Sequence, residues 1–212
     1  WASTQVTLGA MEISSLSDGN LMLPGAFILG GMPADEVATL LAKYNLSTET
    51  LEPSCNVTLL RSGGRNVLFD VGAGPDFQPT AGKLGLALEA LGLTAEDITD
   101  VVFTHGHPDH LWGLLDDFDD PMFTNATFMM GKAEWEYWMG PNTVDTINSA
   151  RTAFAVGAQR RLALIEDNIN FFNDGEEIIP GVAARATFGH TPGHMSFEVR
   201  SGTNAAMILG DC

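Results

Sequence analysis

Basic residues are scarce in this chain. Ten Lys and Arg stand against 27 Asp and Glu, giving a formal net charge of −17. A surface this acidic repels a phosphate backbone, so nucleic acid is excluded as an expected partner. Cysteine is also scarce, with only Cys55 and Cys212. One pair cannot build a disulfide framework; two buried thiols are the simpler expectation, and the compartment stays open between cytoplasm and export. No apolar run approaches the ~20 residues needed to span a bilayer. The chain opens on Trp1 rather than Met, so a trimmed or processed N-terminus is expected, with room for a removed signal peptide. Repeats and low-complexity tracts are lacking as well. What is present is 212 residues, 45% of them hydrophobic, enough for one domain over 1–212 with a well-buried core.

Periodicity gives a mixed set of elements. Residues 1–32 carry no clear pattern. Val37, Leu40, Leu41 and Tyr44 share one face of a helix over 34–44. The β-rich runs of 56–70 flank Ser62-Gly63-Gly64 and read as a hairpin. A Gly/Pro-rich loop (72–82) precedes a helix carrying Leu84, Leu88 and Leu91, which stops near Gly92. Thr94 to Asp97 has the form of a capping box. Residues 100–104 (DVVFT) make a short buried strand. Helices are expected over 132–139 and 144–164, then strands over 169–173, 177–179, 182–188, 196–200 and 205–209. Hairpins outnumber βαβ units, which favours an α+β fold with a mixed sheet packed on helices over a doubly wound parallel sheet.

All five histidines fall in two short segments, THGHPDH (104–110) and GHTPGH (189–194). His105, His107, Asp109 and His110 occupy four of six positions directly after the predicted buried strand. Imidazole and carboxylate are the natural ligands of zinc and its neighbours. Residues i and i+2 of an extended loop point the same way, so His105 and His107 can grip one ion. Pro108 fits the first turn of a following helix, which would carry Asp109 and His110 toward a second ion. Gly106 leaves the loop free between two ligands. A lone histidine is usually unremarkable; this density is not. His190 is left between no direct role and support of a ligand.

The segment His105-Gly106-His107-Pro108-Asp109-His110 resembles the HxHxDH signature of the metallo-β-lactamase superfamily. TPGH ending at His194 and LGD ending at Asp211 resemble its later motifs, in the family's order. The resemblance implies a four-layer αβ/βα sandwich and two divalent metal ions, zinc first, with Mn, Co or Fe as alternatives. By position, His105, His107 and His194 would bind the first ion and Asp109 and His110 the second, with Asp211 bridging both. Asp70, in FDVG, falls where the family has an Asp that supports a ligand; a strand-end turn cap is the plain alternative. The family's last ligand His and its final strands and helix lie beyond Cys212, so the natural chain is expected to continue. Cys212 is expected to be packing, since an extended Asp211-Cys212 pair points to opposite faces.

Within the superfamily, DVGAGPDFQPTAGKL (70–84) and AEWEYWMG (133–140) look most like the methyl parathion hydrolase and lactonase branch. That likeness implies a small-molecule substrate pocket built from Phe77, Trp138 and Phe154, although aromatic residues on helices are more often core; Trp112 and Trp135 are read as core. It also points to a homodimer. The implied reaction is attack by a hydroxide shared between the two ions on an ester-type bond of a lactone, aryl ester or phosphotriester, with Asp109 shuttling the proton. Alternatives on the same site are β-lactam or thioester hydrolysis, or an inactive binding module. A flavodiiron-type redox role is opposed by His107, which stands where those proteins resemble HxExD.

Overall fold

The apolar runs and the Gly-containing turns between them form two packed sheets. The computed structural model describes residues 4–212. In chain order the elements are β1 (Thr4–Leu8), β2 (Met11–Asn20), β3 (Leu23–Pro24), α1 (Gly25–Leu29), α2 (Ala34–Ala42), β4 (Thr50–Leu51), β5 (Ser54–Ser62) and β6 (Arg65–Phe69). Next come α3 (Gly74–Phe77), α4 (Leu84–Glu89), β7 (Asp100–Phe103), α5 (Pro108–Leu111), β8 (Thr127–Gly131), α6 (Lys132–Trp138), α7 (Thr143–Thr146) and α8 (Thr152–Ile165). The chain closes with β9 (Ile169–Phe172), β10 (Glu177–Ile179), β11 (Val182–Ala186), β12 (Met195–Ser201) and β13 (Asn204–Ile208).

The larger sheet has the order β1-β2-β5-β6-β7-β8-β9. It is antiparallel from β1 to β6 and parallel from β6 to β9. The smaller sheet, β10-β11-β12-β13, is an antiparallel meander. Strand alternation assigns the cores. Leu68, Val101, Phe103, Phe128 and Met130 face the helices. Val67, Phe69, Val102 and Met129 face the second sheet, where they meet Val182, Phe197 and Val199. The central strands are thus buried on both faces, as parallel strands require. Each such side chain contributes roughly 1.5–3 kcal/mol by leaving water. The expected mixed α/β arrangement is present as helices, sheet and sheet, and no helix follows β13 among the described residues. Among the described residues, no helix is long and apolar enough to cross a membrane.

Three departures from the sequence reading matter for the site. Residues 11–20 form a full strand with a bulge between Ser17 and Gly19. The bulged residue, Asp18, is buried, and its carboxylate accepts N–H groups of Ala73, Gly82 and Leu84 at 2.8–3.2 Å. It thereby shapes the 72–84 loop that carries Phe77. The helix expected over 144–164 is broken: Ile147 is extended, Asn148 Oδ1 caps Ala150 N–H at 3.0 Å, and a 3-10 turn at Ser149–Arg151 leads into α8. The break turns Arg151 and Phe154 toward the cleft. Finally, Cys55 is buried but Cys212 is exposed, correcting the expectation of two buried thiols. Cys212 follows the end of β13 and is not enclosed by either sheet.

Candidate metal centre

The centre lies at the carboxyl ends of β6 and β7, where the parallel part of the sheet releases its chain into loops, the usual ligand position in such sheets. β7 delivers Thr104 and His105, and Pro108 starts α5, which presents Asp109 and His110. The loop before β12 brings His190 and His194, and the turn after β13 brings Asp211. The two distant segments converge: His107 Nδ1 lies 2.9 Å from His190 Nε2 and 3.1 Å from His105 Nε2. His105 and His194 ring centroids are 5.0 Å apart. Two groups have ligand atoms within 4.8 Å of one another: His105, His107 and His190, and His105, His110 and Asp211.

Hydrogen bonds fix which ring nitrogens face inward. Asp70, at φ +68°, accepts Thr104 N–H through Oδ1 and Thr104 O–H through Oδ2, each at 2.8 Å. The Thr104 hydroxyl proton is thus committed, so its oxygen accepts from His105 Nδ1 at 2.9 Å. His105 Nε2 is left with a lone pair toward the centre. Asp70 Oδ2 also takes His110 Nδ1 at 2.8 Å, pointing Nε2 at Asp109 (3.5 Å) and Asp211 (3.3 Å). A second relay serves His194. Ser196 Oγ donates to Leu209 O, Thr187 Oγ1 bonds Ser196 Oγ, and His194 Nδ1 sits 2.8 Å from Thr187 Oγ1. His194 Nε2 is thereby an acceptor, and here it accepts the Asp211 N–H at 3.1 Å. Such outer partners orient ligands and set their basicity.

Electrostatics sort the groups by charge. Burial holds the His105 imidazole well below its ordinary range and His107 at about 3, aided by neighbouring histidines. Burial lowers His190 and His194 as well. His110 goes the other way: burial opposes its charge, but Asp70 and the bonds to Asp109 and Asp211 outweigh burial and raise it well above 6.5. Asp211 is driven down to about 2, because its contact with His110 outweighs burial. Asp109 is lowered for the same reason. The neutral imidazoles of His105, His107, His190 and His194 beside ionised Asp109 and Asp211, with His110 needing to release its proton, form a donor set that fits divalent zinc and its neighbours.

Two residues missed by sequence reasoning hold the loops together. Glu134, on α6, is fully buried. Its Oε1 accepts Gly106 N–H (2.8 Å) and Trp138 Nε1–H (2.5 Å); its Oε2 accepts Thr191 O–H (2.7 Å) and Gly193 N–H (3.0 Å). One carboxylate therefore ties the His105–His107 loop to the His190–His194 loop. Glycine is required on both sides: a Cβ on Gly106 would lie 2.4 Å from Trp138 Nε1, and one on Gly193 would lie 2.1 Å from Glu134 N. The other missed residue is Thr187. The Glu134 partnerships cross between elements, and the Thr187 contact closes within the loop before β12, so the adjacent Gly-His pattern hints at neither.

A cleft of about 720 Å³ opens over the centre, lined by His107, Asp109, His110, His190 and Asp211. Its remaining wall is largely apolar and includes Phe77 and Phe154, whose rings meet edge-on at 5.8 Å. Trp138 does not line this cleft. It is 1% exposed, backs His107 at 5.8 Å, and borders an adjoining pocket. Trp112 and Trp135 are partly buried against the helical core.

The model of the metallo-beta-lactamase superfamily matches residues 51–211, and the chain belongs to that superfamily. Among solved structures, AidC, described as a dizinc quorum-quenching lactonase in complex with N-hexanoyl-L-homoserine, is 26% identical with a TM-score of 0.87 over 97% of this chain and 73% of its own. AbOPH, a hydrolase in the beta lactamase superfamily, is also 26% identical, with a TM-score of 0.87 over 99% and 73%. A probable metal-dependent hydrolase from Staphylococcus aureus shares the fold at 22% identity, with a TM-score of 0.79 over 97% and 74%. No curated protein matches the chain.

Proposed function

We propose that this protein hydrolyses an ester-type bond, a lactone or aryl ester, in a small substrate with an apolar portion. The carrying observation is the convergence of five histidines, with His107, His110, His190, Asp109 and Asp211 lining a cleft with a largely apolar wall and His105 and His194 buried behind them. The 26% identity to a dizinc lactonase supports the ester class. His105, His107 and His194 are assigned to one cation, Asp109 and His110 to the other, and Asp211 to both. His190, 2.9 Å from His107, competes with His194 for the first place. When bound, two such cations polarise the scissile carbonyl and make water a nucleophile at neutral pH.

The chain's own groups supply the rest. Asp70 holds His110 directly and His105 through Thr104. Asp109, held in its ionised form and partly open to the cleft, can take a proton and pass it to the departing oxygen. Phe77 and Phe154 offer edges and faces to an acyl or aryl group and keep water from that side. The test uses chelated protein reloaded with Zn, Mn or Co against chromogenic lactones, aryl esters and phosphotriesters. Turnover of esters should vanish on chelation, return on reloading, and be nearly lost in His107→Ala together with one metal equivalent. Undiminished turnover in chelated protein, or in His107→Ala, overturns the proposal. Metal content separates the histidines: His194→Ala should lose an ion and His190→Ala should keep both.

A further inference from the structure

Arg151 is anomalous for this protein. Among the described residues, each of the six other arginines has an Asp or Glu oxygen within 4.0 Å. Among those residues Arg151 has none, nor any side-chain hydrogen bond, in a chain with 27 acidic residues. Its guanidinium instead lies 5.9 Å from the centroid of the Phe27 ring. The broken helix places it there, as the last residue of the 3-10 turn before α8. It borders both the main cleft and a second pocket of about 560 Å³. The two share Phe27, His107, Arg151 and His190, so the second pocket reaches the metal centre from the side. No Asp or Glu among the described residues lines that second pocket; Tyr137, Thr146, Asn148 and Thr191 are among its uncharged polar residues.

We propose that this side pocket is a subsite for an anionic oxygen group of the ligand, a carboxylate or its like, and that Arg151 selects for it. The main cleft would take the apolar portion and the side pocket the charged one, with the scissile bond between them over the centre. The physical reason is local charge. Asp109 and Asp211 at the floor of the main cleft are committed to the cation sites, whereas in the side pocket an anion meets an unpaired guanidinium and no carboxylate among the described residues. Arginine offers five fixed N–H donors suited to such a group. An unpaired Arg in so acidic a chain is otherwise a lost ion pair. The proposal rests on the hydrolase reading only in taking the ligand to be a substrate.

The test separates the two ideas by measuring binding as well as turnover. Metal-loaded protein is titrated with 2-naphthalenesulfonate, a poor metal ligand, and with the neutral methyl 2-naphthyl sulfone. The wild type should bind the sulfonate about tenfold more tightly, the scale of a charge-assisted bond at a partly exposed site. Arg151→Gln should bring that ratio near one, and Arg151→Lys should keep part of it. No preference in the wild type, or the same preference in Arg151→Gln, overturns the subsite. In parallel, the kcat/KM ratio of 4-nitrophenyl hydrogen glutarate to 4-nitrophenyl valerate should fall in Arg151→Gln, chiefly through KM. Loss of sulfonate preference without turnover of any ester would uphold the subsite and reject the hydrolase reading.

Discussion

Replacing Glu134 by Gln tests whether one buried carboxylate organises both ligand loops. The carboxylate accepts four bonds, from Gly106, Trp138, Thr191 and Gly193, and all four groups act as donors. A glutamine has one oxygen and one NH₂. If the NH₂ faces Gly106 and Trp138, two buried N–H groups are opposed. If it faces Thr191 and Gly193, the hydroxyl can turn to accept, but Gly193 N–H is left facing a donor. The second arrangement is the cheaper. It leaves one unsatisfied buried N–H, at about 1–3 kcal/mol, and weakens two charge-assisted bonds to neutral ones, at about 1 kcal/mol each. Against this, burial holds the Glu134 carboxyl above its usual range despite the four bonds, so removing the charge returns part of the loss. The net expectation is about 2–3 kcal/mol, a large part of the ~5–15 kcal/mol that stabilises a typical domain. Urea unfolding of chelated protein measures it. Zinc affinity, read by competition with a chelating dye, should weaken about tenfold or more, as for other supporting residues of metal sites. A lower urea midpoint with unchanged zinc affinity would refute the organising role, leaving Glu134 as a staple of the fold alone.

Gly106→Ala should destabilise the protein by about 1–3 kcal/mol, because the new methyl group overlaps the buried Trp138 ring and both neighbours are fixed; a thermal midpoint equal to wild type would count against the close packing described. The chelated protein should also lose stability as pH falls below about 6.5. Unfolded histidines titrate near that value, whereas folded His105, His190 and His194 are lowered and His107 titrates at about 3, so the unfolded state binds more protons in this window. His110 acts in the opposite sense. Its raised folded pKa contributes stability that is fully present below 6.5 and lost as pH rises through the folded value. Four groups against one should lower the urea midpoint between pH 7 and pH 5; a midpoint that rises over that interval would contradict the assigned charge states.

Much of this protein was legible from its residues alone. HGHPDH, TPGH and LGD specify ligand chemistry by residue type and close spacing, and short-range geometry delivers it: a strand, then a loop, then Pro108 opening a helix. The hairpin over 56–70 and the strands of the second sheet were likewise readable, because alternation and Gly turns are local signals. Less local features were hidden. The strand at 11–20 has few large apolar residues and takes its form from pairing with β5. The helix near 144–164 breaks at Ile147 and Asn148, where a cap and tertiary packing override a continuous apolar pattern. Sequence therefore named residue types suited to a metal, whereas the groups whose ligand atoms come within 4.8 Å of one another include His190. Tertiary structure decided how they meet: Asp70 and Thr104 behind His105, Thr187 behind His194, and Glu134 between the two loops. Asp70 and Glu134 stand many residues from the groups they hold, and a hydrogen bond between distant segments leaves no periodic trace in either one.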